Sequence, residues 1–154
     1  MKRPGTLVYA IGNRSRGDDA LGPMLLERLP IDLPDTERVE VYQLQIEHAL
    51  DLQGRRRVLF VDAGHATAEP FDFAPVTPER TPTPFTHALT PGALLGVASR
   101  LDFPLPPAWV LCIRGDAFEL GEPLSQGAEQ RLASAQAFVQ SWLATHPEHP
   151  HEKT

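Results

Sequence analysis

The sequence predicts an α/β fold of three layers, α/β/α, with helices on both faces of a mostly parallel sheet. Three observations predict it. Short continuous apolar runs recur at 6–11, 58–61 and 109–113. Runs of that length without polar alternation suit strands covered on both faces. Segments with helical spacing of apolar residues fall between and after them. Strand and helix therefore alternate, the chain order of βαβ units whose strands lie parallel.

The first strand, 6–11 (TLVYAI), stops at Gly12-Asn13. A polar loop over 13–17 leads to a helix that starts between Asp18 and Gly22 and carries Met24, Leu25, Leu26 and Leu29. Pro23 fits a helix only near its start, and Pro30 and Pro34 mark its end. Residues 38–44 (RVEVYQL) alternate Val39 and Val41 with Glu40 and Tyr42. That pattern reads as a strand with one wetter face, nearer a sheet edge. Residues 46–53 suit a short helix closed by Gly54. The apolar run 58–61 is a buried strand ending at Asp62-Ala63-Gly64. Segment 65–86 is rich in Pro and Thr and holds one irregular strand around 71–76, the rest being loop. Thr90 and Pro91 supply an N-cap and a first residue for a helix reaching Leu101. Pro104, Pro106 and Pro107 link it to the strand at 109–113, which Arg114-Gly115 ends. In a last, long helix over 125–144, Leu132, Ala135, Phe138, Val139 and Trp142 share helical spacing. With no internal repeat or linker, 1–145 reads as one domain. The tail 146–154, with Pro147, Pro150 and three histidines, reads as disordered.

The 154 residues, 42% hydrophobic and 22% charged, are enough for a sizeable core without disulfides. Cys112 is the one cysteine. Its place inside an apolar strand favours a core role over a nucleophile. A net charge of −6 and a pI near 5.4 argue against a nucleic-acid partner, which needs clustered basic surface. Arg55-Arg56-Arg57 reads as solvated residues at a strand start, with docking of an acidic partner as the alternative. No run approaches the roughly 18 apolar residues of a membrane span. The apolar run near the N-terminus is too short for a signal peptide. The expected location is the cytoplasm.

Ligands of open α/β sheets bind beyond the carboxyl ends of the strands. Gly17-Asp18-Asp19 follows the first strand and Asp62 closes the strand at 58–61, so three acids gather at one edge. Singly, each has a plain reading: Asp18 as a helix N-cap, Asp62 as a cap or turn residue. Within the site, Asp18 is expected to shape the loop, through capping or through hydrogen bonds behind the ligands. His87, in Thr86-His87-Ala88-Leu89-Thr90-Pro91, adds an imidazole just ahead of a helix, its plain reading being a surface loop residue. A histidine with two carboxylates mixes hard and borderline donors that suit nickel or zinc, although the wide spacing makes no local metal motif. Competing chemistries lack their parts. Gly12 and Gly17 have no third glycine for a dinucleotide site, no Lys-Ser/Thr follows for a phosphate loop, and no G-x-S-x-G elbow exists. Asp18 and Asp19 make a poor proton-sharing pair, because neighbours on a helix start diverge by about 100°.

The run from Val8 to Gly22 (VYAIGNRSRGDDALG) resembles the opening of the nickel–iron hydrogenase maturation endopeptidases: a strand, Gly-Asn, a short loop and paired acids. Val61-Asp62-Ala63 resembles their central strand-end aspartate, and Thr86-His87-Ala88-Leu89 before a Pro-led helix resembles their histidine segment. Gln43-Leu44 with Glu47, and 114–121 (RGDAFELG), are also similar to segments of the family. Ala20 departs from the glycine common there. The resemblance implies a twisted sheet of about five strands, in the phosphorylase/hydrolase-like class. It implies a hydrolase that removes the C-terminal peptide of the hydrogenase large-subunit precursor after nickel insertion. Asp19, Asp62 and His87 would be the metal ligands and catalytic residues, the nickel arriving with the substrate. Residues 114–121 would form part of the substrate groove, and the working unit would be a monomer. The alternative is a non-catalytic homologue that binds or chaperones the precursor. A nucleotide-binding domain, the third reading, would need the phosphate loop that is absent.

Overall fold

The structure, a computed structural model, describes residues 2–80 and 89–145. Five strands form one sheet: β1 (Thr6–Ile11), β2 (Thr36–Val41), β3 (Arg57–Gly64), β4 (Phe71–Pro75) and β5 (Ala108–Arg114). Their spatial order is β2-β1-β3-β5-β4. All neighbours run parallel except β4, which pairs antiparallel with β5. The helices are α1 (Leu21–Arg28), α2 (Pro91–Ala98) and α3 (Ala128–Ala144). The predicted sheet, mostly parallel with helices on both faces, is the one observed.

Alternation along the central strands divides the core. Val8, Ala10, Leu59, Val61, Leu111 and Ile113 face one side, where α1 and α3 cover them. Leu7, Tyr9, Val58 and Phe60 face the other, under α2 and a 3-10 helix at Ile46–Leu52. β1 sits between two strands and under both layers, so all six of its residues are buried. β2 lies at the edge, and its half-buried side chains match the wetter face predicted there. Its bounds are earlier than 38–44, because Thr6 to Ile11 pair in register with Thr36 to Val41.

Local chemistry moves several other boundaries. Segment 46–52 is 3-10 rather than α, opened by a reciprocal pair in which Gln45 N–H donates to His48 Nδ1 and the Gln45 side chain accepts from the His48 backbone. Helix α2 begins as predicted, with Thr90 Oγ1 accepting from Ala93 N–H, but stops at Ala98. Helix α3 starts at Ala128, later than predicted, behind Gly127 at φ 87°.

The arginine run is corrected. Arg55 and Arg57 are buried, not solvated. Arg55 donates to Asp51 O and Pro4 O and pairs with Glu37. Arg57 closes the carboxyl end of α3, donating to the carbonyls of Trp142, Leu143 and Thr145 and to Thr6 Oγ1. Its guanidinium also lies 4.4 Å from the centre of the Trp142 ring. Helix C-termini leave carbonyls unpaired, and a cation there is doubly favourable. Arg57→Ala is therefore expected to lower unfolding free energy by about 2–3 kcal/mol in urea titration. Arg57→Lys should recover little of it, since an ammonium cannot span that fork.

The predicted division into a domain at 1–145 and a tail at 146–154 places the tail outside the described residues. Among the described residues, no helix is long and apolar enough to cross a membrane.

Candidate functional site

In this strand order β2 and β3 flank β1 on opposite sides, so the sheet changes direction between β1 and β3. The loops leaving the carboxyl ends of such strands diverge and open a crevice. The described residues border an open groove of about 500 Å³ there. Asp19 and Asp62 both line it, joined by Tyr42, His65, Leu89 and Phe118.

Asp19 belongs to a 3-10 turn at Gly17–Ala20 that feeds directly into α1. Its carboxylate accepts the Asn13 backbone N–H at 2.7 Å, which ties the turn back across the loop. That closure needs Gly12: at φ 150° its backbone passes so close that a Cβ would stand 1.9 Å from the Asp19 carbonyl oxygen. Ala20, at φ −78°, occupies ordinary right-handed backbone, so the missing glycine at that position costs the loop nothing.

Asp62 lies within β3 rather than at its end, opposite Cys112 of β5. Its Oδ1 accepts the Ala63 N–H at 2.8 Å. Burial pushes its carboxyl up to about 6, and the nearby Asp19 charge pushes the same way against the Ala63 hydrogen bond. The electrostatic meaning is plain: two carboxylates share one small region, and among the described residues no Lys or Arg lines it. A group raised in the folded state above its unfolded value of about 3.9 costs stability once ionised, in full above pH 6 and not at all below about pH 4. Asp62→Asn is accordingly expected to stabilise the protein by about 1–3 kcal/mol at pH 8. The gain over wild type should fade as pH falls through 6, as read from paired urea titrations.

Asp18 is not a helix cap. It is fully buried and binds the far end of the chain. Its carboxylate accepts N–H bonds from Asp116 (2.7 Å), Ala117 (3.2 Å) and Ser125 (2.8 Å), and the Ser125 hydroxyl as well. Burial alone would raise its carboxyl, but these donors outweigh it and hold the group below the usual carboxylate range. Asp18 thus fastens the segment 115–125 beside the turn that carries Asp19. Cys112 is half-buried and contacts Thr67 Oγ1, and burial pushes its thiol up, which suits packing and not nucleophilic attack.

His87 lies outside the described residues. Leu89, two residues on, lines the groove and forms an isolated antiparallel bridge with Leu44. Among the described residues, no group of three His, Cys, Asp or Glu side chains stands close enough together to hold a metal ion. Tyr42, His65 and Phe118 were not singled out by residue chemistry. Their signals were weak ones: Tyr42 on the wetter face of a strand, His65 three residues past Asp62, and Phe118 within the segment similar to the endopeptidases.

No family model matches the sequence, and no curated protein matches it. Solved structures do. The NiFe hydrogenase maturation protease HycI from Thermococcus kodakarensis KOD1 superposes with a TM-score of 0.65 at 20% identity, covering 93% of this chain and 94% of that one. The hydrogenase maturating endopeptidase HybD from E. coli gives 0.64 at 22%, covering 94% and 93%. The hydrogenase 2 maturation peptidase from Thaumarchaeota archaeon SCGC_AB-539-E09 gives 0.62 at 20%, covering 94% and 100%. The chain has the fold of these maturation proteases along nearly its whole length.

Proposed function

We propose that this chain, which shares the fold of the hydrogenase maturation proteases, is an endopeptidase of that kind. It would remove the C-terminal peptide of a nickel–iron hydrogenase large-subunit precursor and engage the nickel that the precursor carries. The observation that carries the reading is the meeting of Asp19 and Asp62 in one groove at the sheet's switch point. Two neighbouring carboxylates, held together by a rigid strand and a glycine-closed turn with no Lys or Arg among the described lining residues, suit a cation. His87 would complete the set.

The nickel belongs to the substrate in this reading, so the resting enzyme needs no tightly held metal. Engagement of the loaded centre by Asp19, Asp62 and His87 places the adjacent peptide bond in the groove and makes cleavage conditional on loading. The metal supplies Lewis acidity at the site when present. The side chains of this protein orient it and exclude the unloaded precursor. Incubating the purified protein with nickel-loaded and nickel-free precursor, followed by intact mass measurement, tests this. Loss of a C-terminal peptide from the loaded form alone is expected. Equal cleavage of both forms, or of neither, contradicts it.

A further inference from the structure

The groove has walls as well as a floor, and the walls are built. Phe118 packs against His65 with ring centres 4.3 Å apart and ring planes tilted by 52°. The Phe118 ring sits over Gly115 so tightly that a Cβ there would lie 2.6 Å from it. The backbone just before it, at Asp116 and Ala117, is fastened by Asp18. This wall is therefore fixed in place by hydrogen bonds to the buried Asp18. Tyr42 also lines the groove and is 75% exposed, a large aromatic surface left in water beside two carboxylates. Between them, β3 runs three residues past Val61, the last of its residues to pair with β1, while its other edge stays paired with β5 through Gly64. Among the described residues, the stretch 62–64 thus has no strand neighbour on the β1 side.

We propose that the substrate stretch next to the cleaved bond lies extended in this groove, alongside 62–64. One of its apolar side chains would be held between Tyr42 and the His65–Phe118 pair. The inference rests on the protease reading for the identity of its ligand, a peptide segment of the precursor. An extended peptide is the occupant that an unpaired strand edge with flanking side-chain walls receives. Aromatic walls grip side chains of many shapes at little entropic cost. The carboxylate pair then sets where along that peptide the metal sits, and the walls set which residues flank it. Tyr42, His65 and Phe118 are specificity-determining residues in this account, separate from the ligands Asp19 and Asp62.

The test uses the full chain and the nickel-loaded precursor. Tyr42→Ser and His65→Ser, both at exposed positions, are expected to raise KM at least tenfold while kcat stays within threefold. Unchanged KM in both variants overturns the inference. A second arm needs no cleavage. With Tyr42 replaced by p-benzoylphenylalanine in an Asp62→Asn background, photocrosslinks should map to the precursor within roughly ten residues of the C-terminal processing point. Crosslinks only elsewhere, or none, overturn it. Crosslinks to that stretch from a wild-type protein that never cleaves would remove the protease reading and leave the groove assignment standing.

Discussion

Asp19→Asn and Asp62→Asn are each expected to cut cleavage of nickel-loaded precursor by two to three orders of magnitude. A metal's contribution to transition-state charge is worth several kcal/mol, and each 1.4 kcal/mol is about a tenfold change in rate. An amide is a far weaker ligand for a hard or borderline cation than a carboxylate. The same size of effect is expected for His87→Ala. Misfolding is not a rival explanation for Asp62→Asn, since removing that half-buried charge relieves a cost to the fold. Asp19→Asn keeps an oxygen able to accept the Asn13 N–H and so preserves the turn. Single-turnover rates with near-native unfolding curves in all three variants would check the assignment. Full activity in Asp62→Asn would remove it.

Asp18→Ala is expected to be the most damaging to stability. It leaves three backbone N–H groups and one hydroxyl without their acceptor in a place where Asp18 itself has no exposure. Losing a buried charged acceptor of this kind costs about 3 kcal/mol, or roughly 6–12 °C in melting temperature for a chain this size. Asp18→Asn should rescue only in part, because its NH2 would face a donor. The sign of the pH dependence follows from a carboxyl held below its ordinary value. Its stabilisation is present in full above about pH 4 and is lost as pH falls through the depressed folded value. The gap between wild type and Asp18→Ala should therefore persist from pH 8 to 5 and close only in strong acid. A calorimetric series across that range reads it.

How far such features were legible in the sequence depends on how local their cause is. The strands at 6–11, 58–61 and 109–113 stood out because burial on both faces leaves an unbroken apolar run. The N-cap at Thr90 stood out because its partner, Ala93, is three residues away. For Asp18 a loop-shaping role is legible but its partners are not, and for Arg57 even its burial is not, for the opposite reason. Their partners lie about a hundred and about ninety residues along the chain, and an acid or base whose partners are backbone groups leaves no complementary charge to notice. Helix α3 starts three residues later than 125, because Gly127 at φ 87° sets its beginning and Ser125 is engaged with Asp18, a partner that apolar spacing does not reveal. The shared edge of Asp19 and Asp62 was visible because strand ends in an α/β order point one way. The aromatic walls were not, since nothing in a single tyrosine or histidine says which way a loop will turn it.

The central claim is that Asp19, Asp62 and His87 grip one cation over the rim of the sheet. Anomalous scattering at the nickel edge, from crystals of the protein exposed to nickel, addresses it most directly. The account predicts one dominant peak about 2.0–2.2 Å from oxygens of Asp19 and Asp62 and from a ring nitrogen of His87. A peak confined to the histidines of the C-terminal tail, with the groove carboxylates bare, would contradict it.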